Sequence, residues 1–465
     1  MVLKSIPNNQ YPQMKKNHLP ASFVVFLLLL NGTSVYGEKL YSIAPTNLPH
    51  VTRAMKTPGF WVSRHPDADK IILAKKEIKN FNARTTNDLK LIKDLTQFPM
   101  TFSGQTLRAS LQETWGELSK KNLYIGNARP ESSYFDPILD NMNLEAITVT
   151  MPVQFGFIVR FADQRFLPTK DGLSVKPDDI DFDELQNSDM DCGTPVAILH
   201  KSLDGEWLYV ESDIAAGWVE SSKVALCELS DLKKFVHANS FAVVIAPKAD
   251  IFLKSETNEH YDYVRMGMRF PIISRAESKV GVMVPTREAG GMLNFKTGYI
   301  DKNSIHEGYL PYMPRIIIEQ AFKMLNSPYG WGGVNGEQDC SRFLQEVFAT
   351  VGISLPRDSV NQAKVGRLLA SFDVQVQDDQ RLEKFKDAVG GITLLPMKGH
   401  IMLFLGLVDD RPFAIHATWA YRDRVMNEDV ALVINRVVVS DLSLGENSTR
   451  GSLLRRLSSI VLVSQ

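Results

Sequence analysis

The chain has 465 residues, 44% hydrophobic and 23% charged. This composition excludes a disordered or fibrous protein and allows roughly three domains. With 52 Lys and Arg against 53 Asp and Glu, no overall basic field would draw the chain onto nucleic acid. The 3 cysteines, Cys192, Cys227 and Cys340, are too few for a disulfide scaffold, and no CxxC pair suggests a structural zinc site.

At the N-terminus, Lys15 and Lys16 precede the apolar run Phe23 to Leu30 and the polar stretch Asn31 to Ser34. Val35-Tyr36-Gly37 then puts small residues at the −3 and −1 positions of a cut before Glu38. This pattern predicts a cleavable secretory signal over residues 1–37 and an exported protein, periplasmic or extracellular. The apolar run is shorter than the ~20 residues a membrane span needs, so no span is expected after cleavage. Met14, just before the two lysines, is an alternative start to Met1. An exported chain with an odd number of cysteines raises the question of which thiol stays free.

Residues 38–151 read as a helical support domain. Leu89, Ile92, Leu95 and Phe98 recur at i, i+3, and Leu107, Leu111, Trp115 and Leu118 recur at helical spacing. From Pro152 the pattern turns to short apolar segments separated by turns: Val196-Ala-Ile-Leu-His200, Trp207-Leu-Tyr-Val-Glu211 and Gly217-Trp-Val219. Their order resembles the bacterial SH3-like (SH3b) domain, giving a first β-barrel at 152–228. A second block at 229–308, with Phe270 to Ser274, Val280 to Val284 and Gly298 to Ile300, looks like a more divergent copy. For that copy a barrel without a ligand is the simpler expectation.

The chemistry concentrates in residues 309–465. Ile316, Ile317, Gln320, Ala321, Met324 and Leu325 form one face of a helix that starts at Pro314. Tyr329-Gly-Trp-Gly-Gly333 and Asp339-Cys340-Ser341 follow, and then Phe343, Leu344, Val347, Phe348 and Val351 at helical spacing. Cys340 therefore opens a helix, where unpaired N–H groups and the positive end of the dipole favour a thiolate nucleophile. The glycines upstream permit close approach of substrate or of the nucleophile's own turn. A thiolate also needs a proton shuttle. His400 starts the strand-like run Gly399 to Gly406, and His416 lies in Pro412 to Ala417; on adjacent antiparallel strands His416 could orient the ring of His400 toward Cys340. The plainer alternatives are a buried small thiol for Cys340 and core or surface positions for both histidines.

The run Tyr329-Gly-Trp-Gly-Gly333, Asp339-Cys340-Ser341, Gly352-Ile-Ser-Leu-Pro-Arg357-Asp-Ser359 with Gln362, Gly399-His400 to Gly406 and Ile415-His416-Ala417 resembles the NlpC/P60 family of cell-wall cysteine peptidases. The resemblance implies an α+β multidomain protein: a small helical N-terminal domain, two SH3b-like barrels and a C-terminal papain-like domain. It implies Cys340 as nucleophile, His400 as general base and acid, and His416 as the orienting third residue. Arg342 departs from the pattern, because many members carry Gly after Asp-Cys-Ser.

The domain order is similar to that of γ-D-glutamyl-L-diamino-acid endopeptidases, in which the first barrel narrows the cleft so that a free N-terminal L-Ala fits. That likeness implies peptidoglycan stem peptides or muropeptides as partners and a monomer as the working form. It assigns substrate contacts to Asp339 and Ser341 and, around them, to Tyr329 and Trp331. An N-cap role explains Asp339 equally well. Tyr209 and Trp218 are candidates from the first barrel, against a simpler role in its core. Attack on the γ-carbonyl of D-Glu through a thioester on Cys340 requires no metal or organic cofactor. Cys192 and Cys227 are two ordinary thiols or an optional disulfide. Two other functions remain open: the same machinery used for amidase, transpeptidase or acyltransferase chemistry, and a non-catalytic wall-binding protein.

Overall fold

A computed structural model describes residues 41–45, 47–256 and 259–464. The signal expected over 1–37 lies outside the described residues. Among the described residues no helix is long and apolar enough to cross a membrane.

The segment read as one helical domain divides between two cores. Ala44, Leu48, Trp61, Leu73 and Phe81 pack with the C-terminal part of the chain, whereas Leu95, Leu107, Leu111, Leu118 and Ile138 pack with the barrels. Helix α1, Gly104–Leu118, forms where the apolar spacing predicts one, and it buries Leu107, Leu111 and Leu118. Ser103 caps it by accepting from the Thr106 N–H at 3.2 Å. The helix expected from Leu89 to Phe98 does not form. Lys90 is left-handed at φ 53°, the Lys93 N–H donates to the Asp213 carbonyl of the first barrel at 2.8 Å, and only the single turn Leu95–Gln97 remains. Its i, i+3 residues are buried by neighbours instead of by one another.

The first barrel orders its strands Val224–Cys227, Gln154–Ile158, Pro195–Lys201, Trp207–Glu211, Ala216–Glu220, Ala162–Arg165 and β1, Gln186–Met190. The second barrel runs from Phe241 to Glu307. The two share one apolar core: Phe235, on the helix Leu229–Val236 that joins them, meets Phe157 at 4.9 Å and Phe295 at 5.9 Å.

In the C-terminal part, helices α2, Pro314–Lys323, and α3, Cys340–Ala349, pack on a seven-stranded sheet. Three of its adjacent strands are β2, His400–Val408, β3, Arg411–Val425, and β4, Glu428–Asp441, all antiparallel. Tyr41–Ile43 extends the sheet by pairing in parallel with β4.

Candidate active site

Cys340 is the first residue of α3 because Asp339 caps the helix. The Asp339 carboxylate accepts from the N–H groups of Ser341 and Arg342 at 3.1 and 2.8 Å and from the Ser341 hydroxyl at 2.9 Å. It also pairs with the Arg357 guanidinium at 2.7 Å. Arg357 in turn donates to Ser341 Oγ at 3.1 Å and to Ser188 Oγ of the first barrel at 3.0 Å. Asp339 and Ser341 are thus already held in the ground state by the helix and by Arg357.

The facing side chains come from the sheet. β2 and β3 pair Leu403 with Ile415; continuing that register sets His416 opposite Met402, on the face that also carries His400. β3 and β4 pair Ala414 with Ser440 and His416 with Val438, so Ser440 is on the same face one diagonal further. His400 Nε2 lies 2.7 Å from His416 Nδ1, and His416 Nε2 lies 2.9 Å from Ser440 Oγ. Since Nε2 of His400 is engaged, Nδ1 is the ring nitrogen available to a thiol. The Ile401 N–H points at the Cys340 sulfur, which brings the start of β2 against the nucleophile candidate. Ser440 carries no signal in the sequence, being one serine in an apolar strand.

The electrostatics differ from the helix-dipole expectation. Burial, with the Asp339 carboxylate adding to it, pushes the Cys340 thiol up to about 12, against the pull of the Ile401 N–H and Arg357. Burial and the cation of Arg456 push His400 down to about 4. Burial, and after it His400, hold His416 well below the ordinary value. Burial and an anionic cap thus outweigh the helix N-terminus, and both shifts favour the neutral thiol and the neutral imidazole.

Close approach by the glycine loop also has a different beneficiary. Gly332 and Gly333 adopt φ 62° and 87°, and a Cβ on Gly333 would sit 2.2 Å from Cγ of Asp189. The loop is pressed onto β1 of the first barrel. Trp331 meets Phe182 of that barrel edge-on at 5.3 Å, and Phe182 meets Trp419 at 5.0 Å. Trp419 Nε1 donates to Asp181 at 3.0 Å. Tyr329 is half-buried and lies beside Cys340, whose charge would raise its phenol further.

Tyr209 and Trp218 do not join this group. Trp218 is 0% exposed in the barrel core, its ring 5.4 Å from that of Tyr209, and the Tyr209 hydroxyl bonds Ser110 on α1. The first-barrel residues that do meet the site are Gln186, Ser188 and Asp189 on β1 and Phe182 before it. They belong to none of the apolar segments that mark the barrel. Arg342 turns away from the thiol and binds Asp191 and Glu346, each at 3.2 Å. A cavity of about 250 Å³ lined by Arg342, Gln345, Glu346, Asp189 and Met266 lies across α3 from Cys340 and is separate from the thiol. Cys192 is buried, Cys227 is half-buried, and both are free thiols, so the optional disulfide is not formed. Among the described residues no group of three His, Cys, Asp or Glu side chains could hold a metal ion.

Residues 326–409 match the model of the NlpC/P60 family, and residues 174–220 match an SH3 domain of the SH3b1 type. The C-terminal part carries an NlpC/P60 domain. A solved structure described as a novel NlpC/P60 endopeptidase from Photobacterium damselae subsp. piscicida shares the fold of nearly the whole chain. Its TM-score is 0.73, with 21% identity and coverage of 91% of this chain and 99% of that one. The gamma-D-glutamyl-L-lysine dipeptidyl-peptidase of Bacillus subtilis (strain 168) is 40% identical over 63 residues, 13% of this chain and 21% of that protein. A probable endopeptidase of Corynebacterium glutamicum is 38% identical over 63 residues, 13% of this chain and 30% of that protein. The chain thus spans less than a third of the length of these curated relatives. Cys340, His400 and the glycine loop all fall inside the matched NlpC/P60 segment, whereas His416 and Ser440 lie beyond it.

Proposed function

We propose that the protein is a cysteine endopeptidase of peptidoglycan stem peptides, acting in the cell envelope on the bond between γ-D-Glu and the L-diamino acid. The observation that carries this reading is the relay of His400, His416 and Ser440 across three strands, set against a cysteine at the start of α3. The productive direction of hydrogen bonding follows from the chemistry. His416 donates through Nε2 to Ser440 and accepts at Nδ1 from His400 Nε2–H, which leaves His400 Nδ1 with the lone pair a base requires. The thiol transfers its proton to Nδ1 as sulfur attacks the γ-carbonyl. The imidazolium formed then donates to His416 Nδ1 without rearrangement.

The tetrahedral oxyanion is held by the backbone N–H of Cys340 at the start of α3, those of Ser341 and Arg342 being taken by the Asp339 carboxylate. His400 next protonates the leaving amine to give the thioester, and the same residue activates the water that hydrolyses it. A thiol that is neutral at rest suits this cycle: the charge pair develops only when a carbonyl is in place to accept the sulfur. The wall made by β1 and the aromatic contacts of Trp331 leave a restricted approach to a thiol only 8% exposed. Such an approach favours short peptides with a free L-Ala over stems still attached to glycan.

The test is mass spectrometry of L-Ala-γ-D-Glu-diaminopimelate, its lysine counterpart and the muramic-acid-linked peptide after incubation with the protein, with Cys340→Ala as the blank. Cleavage of the free peptides only, lost in the variant, is the expected result. Release at another bond, or binding to peptidoglycan without any release, would overturn the assignment.

A further inference from the structure

We infer that Arg265, from the second barrel, is a positioning residue for Cys340, acting through strand β1 of the first barrel and through the rear face of α3. This rests on the reading of Cys340 as the nucleophile and gives the second barrel a part in catalysis that its sequence does not advertise.

Arg265 ends the strand His260–Arg265 and is 0% exposed. Its Nε meets both oxygens of Asp191 at 3.1 Å, its Nη2 bonds Asp191 at 2.7 Å, and its backbone N–H also donates to Asp191 at 3.2 Å. Nη1 pairs with Asp189 and stands 3.7 Å from Glu346. Arg342 reaches the same carboxylates from α3: Asp191 and Glu346 at 3.2 Å and Asp189 at 3.6 Å. The turn after Arg265 is pressed on α3, since a Cβ at Gly267, φ +87°, would come 2.6 Å from that of Ala349. The second barrel therefore delivers a guanidinium to the back of the nucleophile's helix.

Two connections lead from this cluster to Cys340. Ser188, next to Asp189 on β1, accepts from Arg357, which holds the Asp339 cap. On the other side, Glu346 accepts from Gln338 Nε2 at 3.1 Å, and Gln338 directly precedes Asp339. Three buried carboxylates thus share two guanidiniums. Apolar packing would join three bodies at comparable stability, so what the ion cluster adds is a fixed register between β1, the glycine loop and the start of α3. Without Arg265, Asp189 and Asp191 would be left with one guanidinium in a dry junction. Strand β1 would then move or take up water, and its displacement would pass through Ser188 and Arg357 to the cap of α3.

The experiment uses the full chain with Arg265→Met, Arg265→Lys and the double variant Arg265→Met/Asp191→Asn. Alkylation of Cys340 by iodoacetamide is followed against pH by peptide mass spectrometry, which separates it from Cys192 and Cys227. kcat, KM and the thermal midpoint are measured alongside. In Arg265→Met, alkylation is expected to slow about tenfold near pH 8 with its profile moved to higher pH, and kcat to fall ~10- to 100-fold with little change in KM. Arg265→Lys should recover only part of this, because an ammonium cannot grip Asp191 through two nitrogens. The double variant should exceed the single one in kcat, because it leaves one fewer buried carboxylate to share the remaining guanidinium of Arg342.

A folded Arg265→Met protein with the wild-type alkylation profile and kcat overturns the inference, as does a loss of kcat that tracks the thermal midpoint alone. Should Arg265→Met fail to fold, an unchanged profile in folded Arg265→Lys overturns it equally. Alkylation needs no peptide, so a shifted profile in a protein that cleaves none of the tested peptides would support the positioning role while defeating the proposed substrate.

Discussion

Ser440→Ala tests the relay at its least conspicuous member. In the wild type the His416 ring, 2% exposed, has Ser440 Oγ 2.9 Å from Nε2 and His400 Nε2 2.7 Å from Nδ1. Removing the hydroxyl leaves the Nε2–H of the productive tautomer unpaired in a dry site, at a cost of ~1–3 kcal/mol. His416 escapes part of that cost by moving its proton to Nδ1. There the proton faces His400 Nε2, which must give up its own, and His400 then carries its proton on Nδ1, the atom that should receive the proton of the thiol. The variant therefore rests in a tautomer that cannot act as a base. A net shift of ~1–2 kcal/mol toward it lowers the competent fraction ~5- to 30-fold. Ser440 is on the far side of His416 from the substrate, so the loss belongs in kcat and KM should stay as it was. Steady-state kinetics on L-Ala-γ-D-Glu-diaminopimelate, beside a thermal melt to establish folding, measures both. A kcat within about twofold of wild type, or a loss confined to KM, would refute the relay as drawn.

Stability should fall with acid because the two histidines are buried neutral. Their folded pKa values lie below the ordinary 6.5, with His400 near 4, so the unfolded chain binds more protons between those limits, and stability is progressively lost as pH drops from about 6.5 toward 4. Thermal midpoints across that range should decline less steeply in a His400→Gln/His416→Gln double variant; an equal slope would contradict the assignment. Glu346 has the opposite sign: burial raises its folded value to about 7 against the ordinary 4.5, so the folded state binds the extra proton and stability is lost as pH rises from about 4.5 to about 7. Glu346→Gln should raise the midpoint at pH 8.5 and bring little or no gain below pH 4.5, where the native carboxyl and its unfolded counterpart are both protonated. Gly333→Ala should cost about 1–3 kcal/mol in backbone strain alone, and more from the clash with Asp189; calorimetry and kcat should both register it. Trp218→Ala should lose ~3–5 kcal/mol of stability yet leave KM unchanged in the folded fraction at low temperature, which separates a core residue from a ligand.

What could be read from the chain and what could not follow from range. Periodicity reports burial within one element, so the helix ending at Leu118 and the strands around Val196, Trp207 and Gly217 were legible, and so was a cysteine opening a helix with two histidines on later strands. Periodicity misleads where partners are distant: Leu89 to Phe98 have helical spacing, but the hydrogen bond that decides their backbone comes from Asp213. Tyr209 and Trp218 stand out in the sequence as aromatics, although in a small barrel the large rings fill the centre and the residues free to reach a neighbour are the polar ones on an edge strand, here Gln186, Ser188 and Asp189. The same reasoning explains why the thiol is protonated at rest. The dipole at the start of α3 is visible in the sequence, but the burial that outweighs it, and the carboxylate of the cap beside it, act only in the assembled junction. Asp189, Asp191, Arg265, Arg342 and Glu346 look in sequence like five ordinary surface charges. They form a cluster only because three bodies converge on one helix, and their meaning for Cys340 lies in that convergence, where removing any one charge changes the field and the footing of the thiol together.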